Sequence, residues 1–462
     1  MELAILHLGN IANNAYNNAK YLNRNVKGLR HNVLNFDNPH VMASPQWEEI
    51  DSLLPIDEFA PSWPKDYEGY PAWYTYLETS DLDISGTKSA FKLNGMLLRC
   101  RRRLAYWLKD QGLEKRQGKL RLPVDRLGKI KVFSALPVYL TLHAYAAFKK
   151  KLEWRQYGEN CSDYHLLAKK LKPQLEQYSL IQAYGADIII PYLLGIPYIA
   201  YEHGTLRELP FLGNKNADLL QQAYKHARHV VITNPDVLPS ANKLAIKNIT
   251  FIPHAVDTER FLANDDTRLH QHFNITPDDL VILAPARQNW DIKSNDKVIR
   301  AFAKLVKTEK QYNFTLMLCD WGQHRDKTRD LIKQYNINKN VTFYPPVPKK
   351  TSAKMMQMAD IVVDQFKLGT FGGITPEAMS CGKPLLVHYQ SEIHEWCFNS
   401  HPPVLNATNS DDIYRHFKEL ASSKEYRQEL GEKGRAWVQQ EYSVNQLVER
   451  HQQIYKLIEN HL

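Results

Sequence analysis

Phe371-Gly-Gly-Ile-Thr-Pro-Glu377, continued by Ala-Met-Ser-Cys-Gly-Lys-Pro384, gathers residue types that bind an anion. Gly372 and Gly373 let the backbone approach a ligand closely, and Pro376 suits a first helical turn, where its missing N–H costs nothing. The N–H groups of that turn have no intrahelical acceptor and carry the positive end of the helix dipole. A glycine turn leading into a helix therefore reads as a site for a phosphate-bearing ligand. Glu377, in the same turn, is either a partner of the dipole or an acceptor turned to the ligand. Gly9-Asn10 and His203, the latter in Glu202-His-Gly-Thr205, stand where strands run out, which is where open α/β sheets bind ligands. Turn chemistry and a structural histidine are the plainer readings there. Asp81-Leu-Asp83 is spaced like a metal-binding pair but sits in an irregular stretch, and no metal is assigned. No Ser/His/Asp or Cys/His constellation is evident.

The elements that must hold these residues are strands alternating with helices. Leu3 to Leu8 reads as a strand, Ala15, Ala19, Leu22 and Val26 recur at helical spacing, Gly28 stops the helix, and His31 to Phe36 resumes as a strand. This βαβ opening belongs to a parallel, doubly wound sheet. Alternation breaks from about residue 39 to 160 and returns at Leu180. There the short apolar runs Leu180–Gly185, Asp187–Ile190 and Ile196–Tyr201 read as strands, followed by His229–Thr233 and Asn248–Pro253. Polar residues near 270 mark a boundary. A second series follows, with strands at Leu280–Ala284, Phe314–Leu318 and Val341–Phe343 and helices at Lys297–Leu305, His324–Gln334 and Ser352–Met358. Residues 411–462 read as helical. The fold class is α/β with two Rossmann-like domains, 1–268 (insertion about 39–160) and 269–440, and a last helix, 441–462, crossing back.

The chain of 462 residues carries a net charge of +9, unevenly placed. Between Lys88 and Arg155, 18 Lys/Arg face four acids, a local +14 that leaves −5 for the rest. Helical stripes near Leu93–Leu108 and Ala135–Trp154 make this segment a surface for peripheral contact with an anionic membrane or, more plainly, a solvated basic face. No run approaches the roughly 20 apolar residues of a membrane span. The amino terminus reads as a buried strand rather than a signal peptide. The five cysteines show no paired or metal-type spacing, which favours reduced thiols and a cytoplasmic location, peripheral at the inner face of the membrane if the basic segment docks there.

Three motifs occur in order: Ile252-Pro-His-Ala-Val-Asp-Thr-Glu-Arg-Phe261, Arg287 with Lys293 six residues on, and Phe371-Gly372 through Glu377 to Pro384. Together they resemble retaining glycosyltransferases of the GT-B fold, glycosyltransferase family 4-like. The resemblance covers the C-terminal half well and residues 39–160 hardly at all. It implies two Rossmann-like domains facing a cleft, a nucleotide-diphosphate sugar of UDP or GDP type as substrate, no cofactor, and a glycan or lipid-linked acceptor. Nucleic acid is not an implied partner.

By this resemblance Arg287 and Lys293 bind the diphosphate, where negative charge grows as the glycosidic bond breaks. Arg offers a planar fork and Lys a point charge. Glu377 holds the ribose, and the backbone of Phe371, Gly372, Gly373 and Ile374 faces sugar and diphosphate. Pro346 and Val347 cradle the base, and Gly322 falls at a glycine turn. His203 touches the donor sugar, with Glu202 and Thr205 candidates to orient it; Gly9 and Asn10 are donor-side candidates by their place at a strand end alone. The implied reaction is a front-face displacement with retention, in which the leaving phosphate takes the acceptor's proton. The family's first glutamate, eight positions before Glu377, is Gly369 here, and Asp364 is the candidate substitute carboxylate. Two alternatives stay open: a nucleotide-sugar epimerase on the same fold or, from the departure at Gly369, a non-catalytic nucleotide-sugar-binding protein.

Overall fold

The computed structural model describes residues 3–36, 40–54, 56–58, 61, 63, 69–78, 115–116, 119–120, 164–254, 256–262 and 267–459. The chain forms two compact units, Met1–Tyr76 with Leu175–Leu462, and Leu77–Gln174. In the second unit the described strands are the antiparallel pair β4 (Lys115–Arg116) and β5 (Lys119–Leu120). The basic helical stripes and Asp81-Asp83 lie outside the described residues.

The larger unit contains two sheets. The first runs β3 (Tyr74–Leu77), β2 (Leu29–Phe36), β1 (Leu3–Leu8), β6 (Leu180–Tyr184), β7 (Tyr198–Tyr201), β8 (His229–Ile232), β9 (Ile249–Phe251). From β2 to β9 all pairings are parallel. The second runs β12 (Val341–Tyr344), β11 (Asn313–Cys319), β10 (Asp279–Ala284), β13 (Ile361–Val363), β14 (Leu385–Val387), β15 (Leu405–Asn406), parallel throughout. Helices on both faces explain why these strands are uninterrupted apolar runs rather than alternating ones. In the second sheet Val281, Leu283, Val362, Leu385 and Val387 enter one core, and Leu280, Ile282, Ile361, Val363 and Leu386 enter the other.

The strand order reverses between β1 and β6 in the first sheet and between β10 and β13 in the second. Those two switch points, at the carboxyl ends of the strands, are where such sheets open a ligand crevice. Gly9-Asn10 follows β1, the Arg287–Lys293 loop follows β10, and Asp364 to Ile374 follows β13.

The last helix, Val444–Glu459, packs on the first sheet, with Leu447, Val448, Ile454, Tyr455 and Ile458 in a core with Ile5, Ala19, Tyr184 and Ile199. A buried polar network reinforces this contact. His7 Nδ1 meets the Tyr184 hydroxyl at 2.7 Å and His7 Nε2 meets His31 Nδ1 at 3.0 Å. Gln182 donates to the Tyr184 hydroxyl and to His451 Nε2, and accepts from the Tyr455 hydroxyl.

Asp187–Ile190 is not a strand. Gly185–Ile188 is a 3₁₀ turn continued by the helix Ile189–Leu194, which Gly195 ends in the left-handed region. Ile188, Ile189 and Ile190 are buried, and an apolar run that short has no periodicity to separate helix from strand. β3 and β15, both outermost in their sheets, were not legible as strands. Residues 411–459 are helical as expected, in three helices, Ser410–Ser422, Lys424–Glu441 and Val444–Glu459.

Candidate functional site

On the C-terminal sheet, the loop after β10 is pinned from within. Gln288 N donates to Trp321 O at 2.6 Å, Asn289 N to Asn295 Oδ1 at 2.9 Å, and the Trp290 indole to Thr328 Oγ1 at 3.1 Å. Gly322, at φ +112°, allows the close approach, because a Cβ there would stand 2.5 Å from Gln288 O. These anchors leave Arg287 exposed, with no hydrogen-bond or ion-pair partner among the described residues. Lys293, at the far end of the loop, lies 3.7 Å from Asp364 Oδ1. Its carbonyl accepts from Phe366 N at 3.0 Å, so the loops after the adjacent strands β10 and β13 are tied together.

Asp364 is buried, and its Oδ2 accepts from Thr375 Oγ1 at 2.9 Å. It thus fixes both Lys293 and the start of the helix Ile374–Ser380, whose N-cap, Gly373, offers no side chain to the first N–H groups. A Cβ on Gly372 would meet nothing within 4 Å, so this backbone stands open. The Phe371 side chain turns the other way and stacks on His394 at 5.1 Å. Phe371 and Val347 are both core residues, so only their backbones are available to a ligand. Ile374 packs partly on the same core.

Glu377 is buried and receives a hydrogen bond from Lys349 Nζ. Burial works against the Lys349 charge, but Glu377 and Glu48 outweigh it and hold its pKa above the ordinary value. Sequence reasoning missed Lys349, which stands 28 residues away on another helix. Gly369 has φ +67°, and a Cβ there would collide with the Gln390 side chain. The position where the resemblance places a glutamate is thus filled by Gln390 in a left-handed turn.

On the N-terminal sheet, Gly9 has φ +83°, and a Cβ there would collide with the Asp187 carboxylate. Burial raises the Asp187 pKa to about 7. Asn10 is fully committed within the protein: Nδ2 donates to Asn13 Oδ1 and Ala43 O at 2.8 Å, and Oδ1 accepts from Tyr16 N at 3.0 Å. Its side chain holds the turn, which corrects its reading as a ligand-facing group.

His203 is oriented by Asn14, whose Nδ2 lies 3.0 Å from His203 Nδ1. Glu202 and Thr205 do not orient it. The buried Glu202 carboxylate accepts from Leu206 N at 3.4 Å and Asn234 Nδ2 at 3.5 Å, and Thr205 Oγ1 meets the Tyr224 hydroxyl at 2.5 Å. Burial raises the Glu202 pKa to about 7 and lowers that of His203 to about 4. Asn14 also bonds His254 Nδ1 at 2.9 Å, and the two imidazole rings meet edge to face at 5.0 Å. The His254 pKa is lowered well below the ordinary value by burial, then by His203, Lys349 and Arg207. His254 thus lies within electrostatic reach of His203 on the first sheet and of Lys349, the partner of Glu377, on the second.

Further contacts join the two sheets' neighbourhoods. Thr351 Oγ1 donates to Asp51 Oδ1 at 2.8 Å, and Lys354 Nζ lies 2.5 Å from Asp51 Oδ2.

Two parallel α/β sheets, each with a switch point, make up a GT-B fold. Anabaena HepE, solved in complex with UDP-glucose, shares it at a TM-score of 0.54 and 16% identity over 64% of this chain and 82% of that one. Sucrose-phosphate synthase of Thermosynechococcus elongatus superposes over 100% of both chains at a TM-score of 0.59 and 13% identity. The family model for glycosyl transferases group 1 matches residues 265–437. Among curated relatives, the N-acetyl-alpha-D-glucosaminyl L-malate synthase of Bacillus anthracis is 21% identical over 210 residues, 45% of this chain and 54% of that protein. The match thus spans about half the length of that relative.

Proposed function

We propose that the chain transfers a sugar, with retention of configuration, from a UDP- or GDP-type nucleotide sugar to a hydroxyl of a glycan or lipid-linked acceptor. The observation that carries this reading is the pairing of the loops after β10 and β13 across a switch point, which fixes the loop bearing Lys293 and an exposed Arg287 that has no partner among the described residues. In this reading Arg287 and Lys293 receive the diphosphate and stabilise the charge that develops on it, supplying positive charge from the protein itself. Lys293 exchanges its longer contact with Asp364 for the phosphate. The open backbone at Gly372 and Gly373 faces sugar and diphosphate, the backbone of Val347 borders the base, and Glu377 accepts from the ribose. His203 faces the transferred sugar from the other sheet.

The acceptor hydroxyl attacks on the leaving-group side, its proton passes to the departing phosphate oxygen, and the nucleotide diphosphate leaves. The basic segment 88–155 is proposed to carry a peripheral contact with an anionic membrane surface on the cytoplasmic side. No helix among the described residues is long and apolar enough to cross a membrane.

Thermal unfolding in the presence of UDP- and GDP-sugars tests this directly. A ligand bound only by the folded state at 100 times its Kd adds about 2.7 kcal/mol, a rise of several degrees. Nucleotide release in the presence of acceptor glycosides should then follow. Neither a shift nor release across both series sinks the proposal.

A further inference from the structure

We propose that His254 is a second sugar-recognition residue of this site, accepting a hydrogen bond from a sugar hydroxyl at its Nε2, while the neighbouring ring of His203 offers its Nε2–H. The inference rests on the reading that the site takes a sugar.

The tautomers follow from Asn14. Its Nδ2 lies 2.9 Å from Ile11 O, an atom that can only accept, so the orientation of the amide is fixed by its partner. The second hydrogen on that nitrogen points at His203 Nδ1, 3.0 Å away, which must therefore be bare. The His203 proton sits on Nε2. Asn14 Oδ1 lies 2.9 Å from His254 Nδ1, which must carry a hydrogen to bond it. The His254 proton thus sits on Nδ1, and its Nε2 is a lone pair. One buried amide sets two neighbouring rings in opposite tautomers, one presenting a donor and the other an acceptor.

Both rings are partly exposed, and neither Nε2 has a partner among the described residues. The surroundings keep both neutral: burial disfavours the imidazolium, and Arg207 and, at His254, Lys349 add repulsion. A donor beside an acceptor suits a hydroxyl, which does both. It does not suit phosphate, which only accepts and would be repelled by the His254 lone pair. The histidine pair therefore selects the sugar end of a substrate, and the cations across the site select its charged end. Asn14 touches no substrate in this scheme and is a positioning residue.

Nitrogen-15 NMR of the histidine-labelled full chain at pH 7 gives the first test. Long-range ¹⁵N–¹H correlations should show His254 protonated at Nδ1 and His203 at Nε2. The reverse tautomer at either ring, or an imidazolium at His254, overturns the inference whatever the substrate is.

The second test is His254→Asn, which keeps an N–H for Asn14 Oδ1 but places nothing at Nε2. We expect unchanged UDP affinity and near-native melting. If the hydroxyl belongs to the donor, affinity for UDP-glucose or GDP-mannose, whichever the wild type binds, falls about tenfold. If it belongs to the acceptor, donor affinity holds and the rate of nucleotide release with methyl glucoside falls about tenfold instead. His254→Gln, whose amide oxygen reaches towards the Nε2 position, should restore part of either loss. His254→Asn matching the wild type in both assays overturns the inference while leaving the sugar-transfer reading standing. Failure of the wild type to bind any nucleotide sugar removes both.

Discussion

The two sides of the site are built on opposite electrostatic plans. Beside β7 and β9, His203 and His254 are partly exposed rings set by one amide, and burial lowers the pKa of both. Beyond β10 and β12, Arg287 is a cation left exposed on a pinned loop, and Lys293 and Lys349 are cations held against carboxylates. Neutral groups bind by fixed direction and lose it when protonated. Cations bind by charge and lose it when screened. On the proposed reading, the side assigned to hydroxyls should therefore respond to pH, and the side assigned to phosphate to salt.

The largest effect expected from this contrast is on stability in acid. His7, His31, His203, His229, His254 and His451 all have folded pKa values pushed below the ordinary value by burial, to about 4 for His203, His229 and His451 and about 3 for His31. The unfolded chain binds protons at these rings below about pH 6.5, while the folded chain resists them. Their contribution is thus complete above pH 6.5 and is lost as pH falls towards 4. Asp187 and Glu202, raised to about 7 by burial, act in the opposite sense, since their contribution is lost as pH rises through 7. Burial also lowers the pKa of His394 and raises that of Glu377, so seven rings stand against three carboxyls, and the urea midpoint should drop between pH 6.5 and 4, by about 1.4 kcal/mol per pH unit for each net proton taken up on unfolding. His451→Gln should shallow the slope, and a flat profile would contradict neutral burial.

Across the site, Arg287→Ala should lower nucleotide-sugar turnover by about 10²- to 10³-fold, the usual cost of removing one group aimed at developing charge. Melting should not change, because the exposed guanidinium has no partner among the described residues to lose. The remaining affinity should depend less on salt than that of the wild type. Equal loss of stability and turnover would mean that Arg287 supports the loop rather than the ligand.

Lys349→Met sharpens the same side by a smaller amount. It leaves Glu377 buried without its cation, and urea titration should show a loss of about 2 kcal/mol. Adding Glu377→Gln should return much of that stability, because the uncompensated charge is removed, but not nucleotide-sugar affinity. A double variant as unstable as the single one would show that the lysine acts by packing.

How far the two sides could be read in advance differs as well. The sheets were legible because strands buried on both faces are apolar throughout, and helices between them repeat at 3.6 residues. Asp187–Ile190 misled for the same reason, being apolar with no period. Arg287, Lys293 and Glu377 could be singled out because they lie in short local motifs at switch-point loops. His203 could be singled out too, but its true positioner could not. Asn14 stands 189 residues from His203 and 240 from His254. Nothing in a turn of asparagines and alanines says which amide will reach a distant strand end. Glu202 and Thr205 looked apt only because they were adjacent in sequence, and the chain sends both side chains to other partners. Lys349 was hidden likewise by pairing across helices.

The smallest effect concerns Gly369, where the resemblance calls for a glutamate. If the glycine were a simple loss, Gly369→Glu would restore a sugar-binding carboxylate and raise turnover. The geometry argues otherwise. The backbone is left-handed at φ +67°, and the Gln390 side chain occupies the Cβ direction. Gln390 N also donates to Gly369 O at 2.9 Å, and Gln365 Oε1 accepts from Lys367 N and Leu368 N at 2.9 and 2.8 Å, so the loop is braced on both sides. A side chain there should cost about 1 to 2 kcal/mol in strain and displacement, read as a lower melting temperature with no gain in nucleotide release. Gln390→Ala in the same chain should relieve the collision but not the left-handed strain, recovering only part of the loss. A Gly369→Glu variant that turns over faster at unchanged stability would show that this loop opens to the ordinary arrangement, and that the charged side of the site is less fixed than its bracing implies.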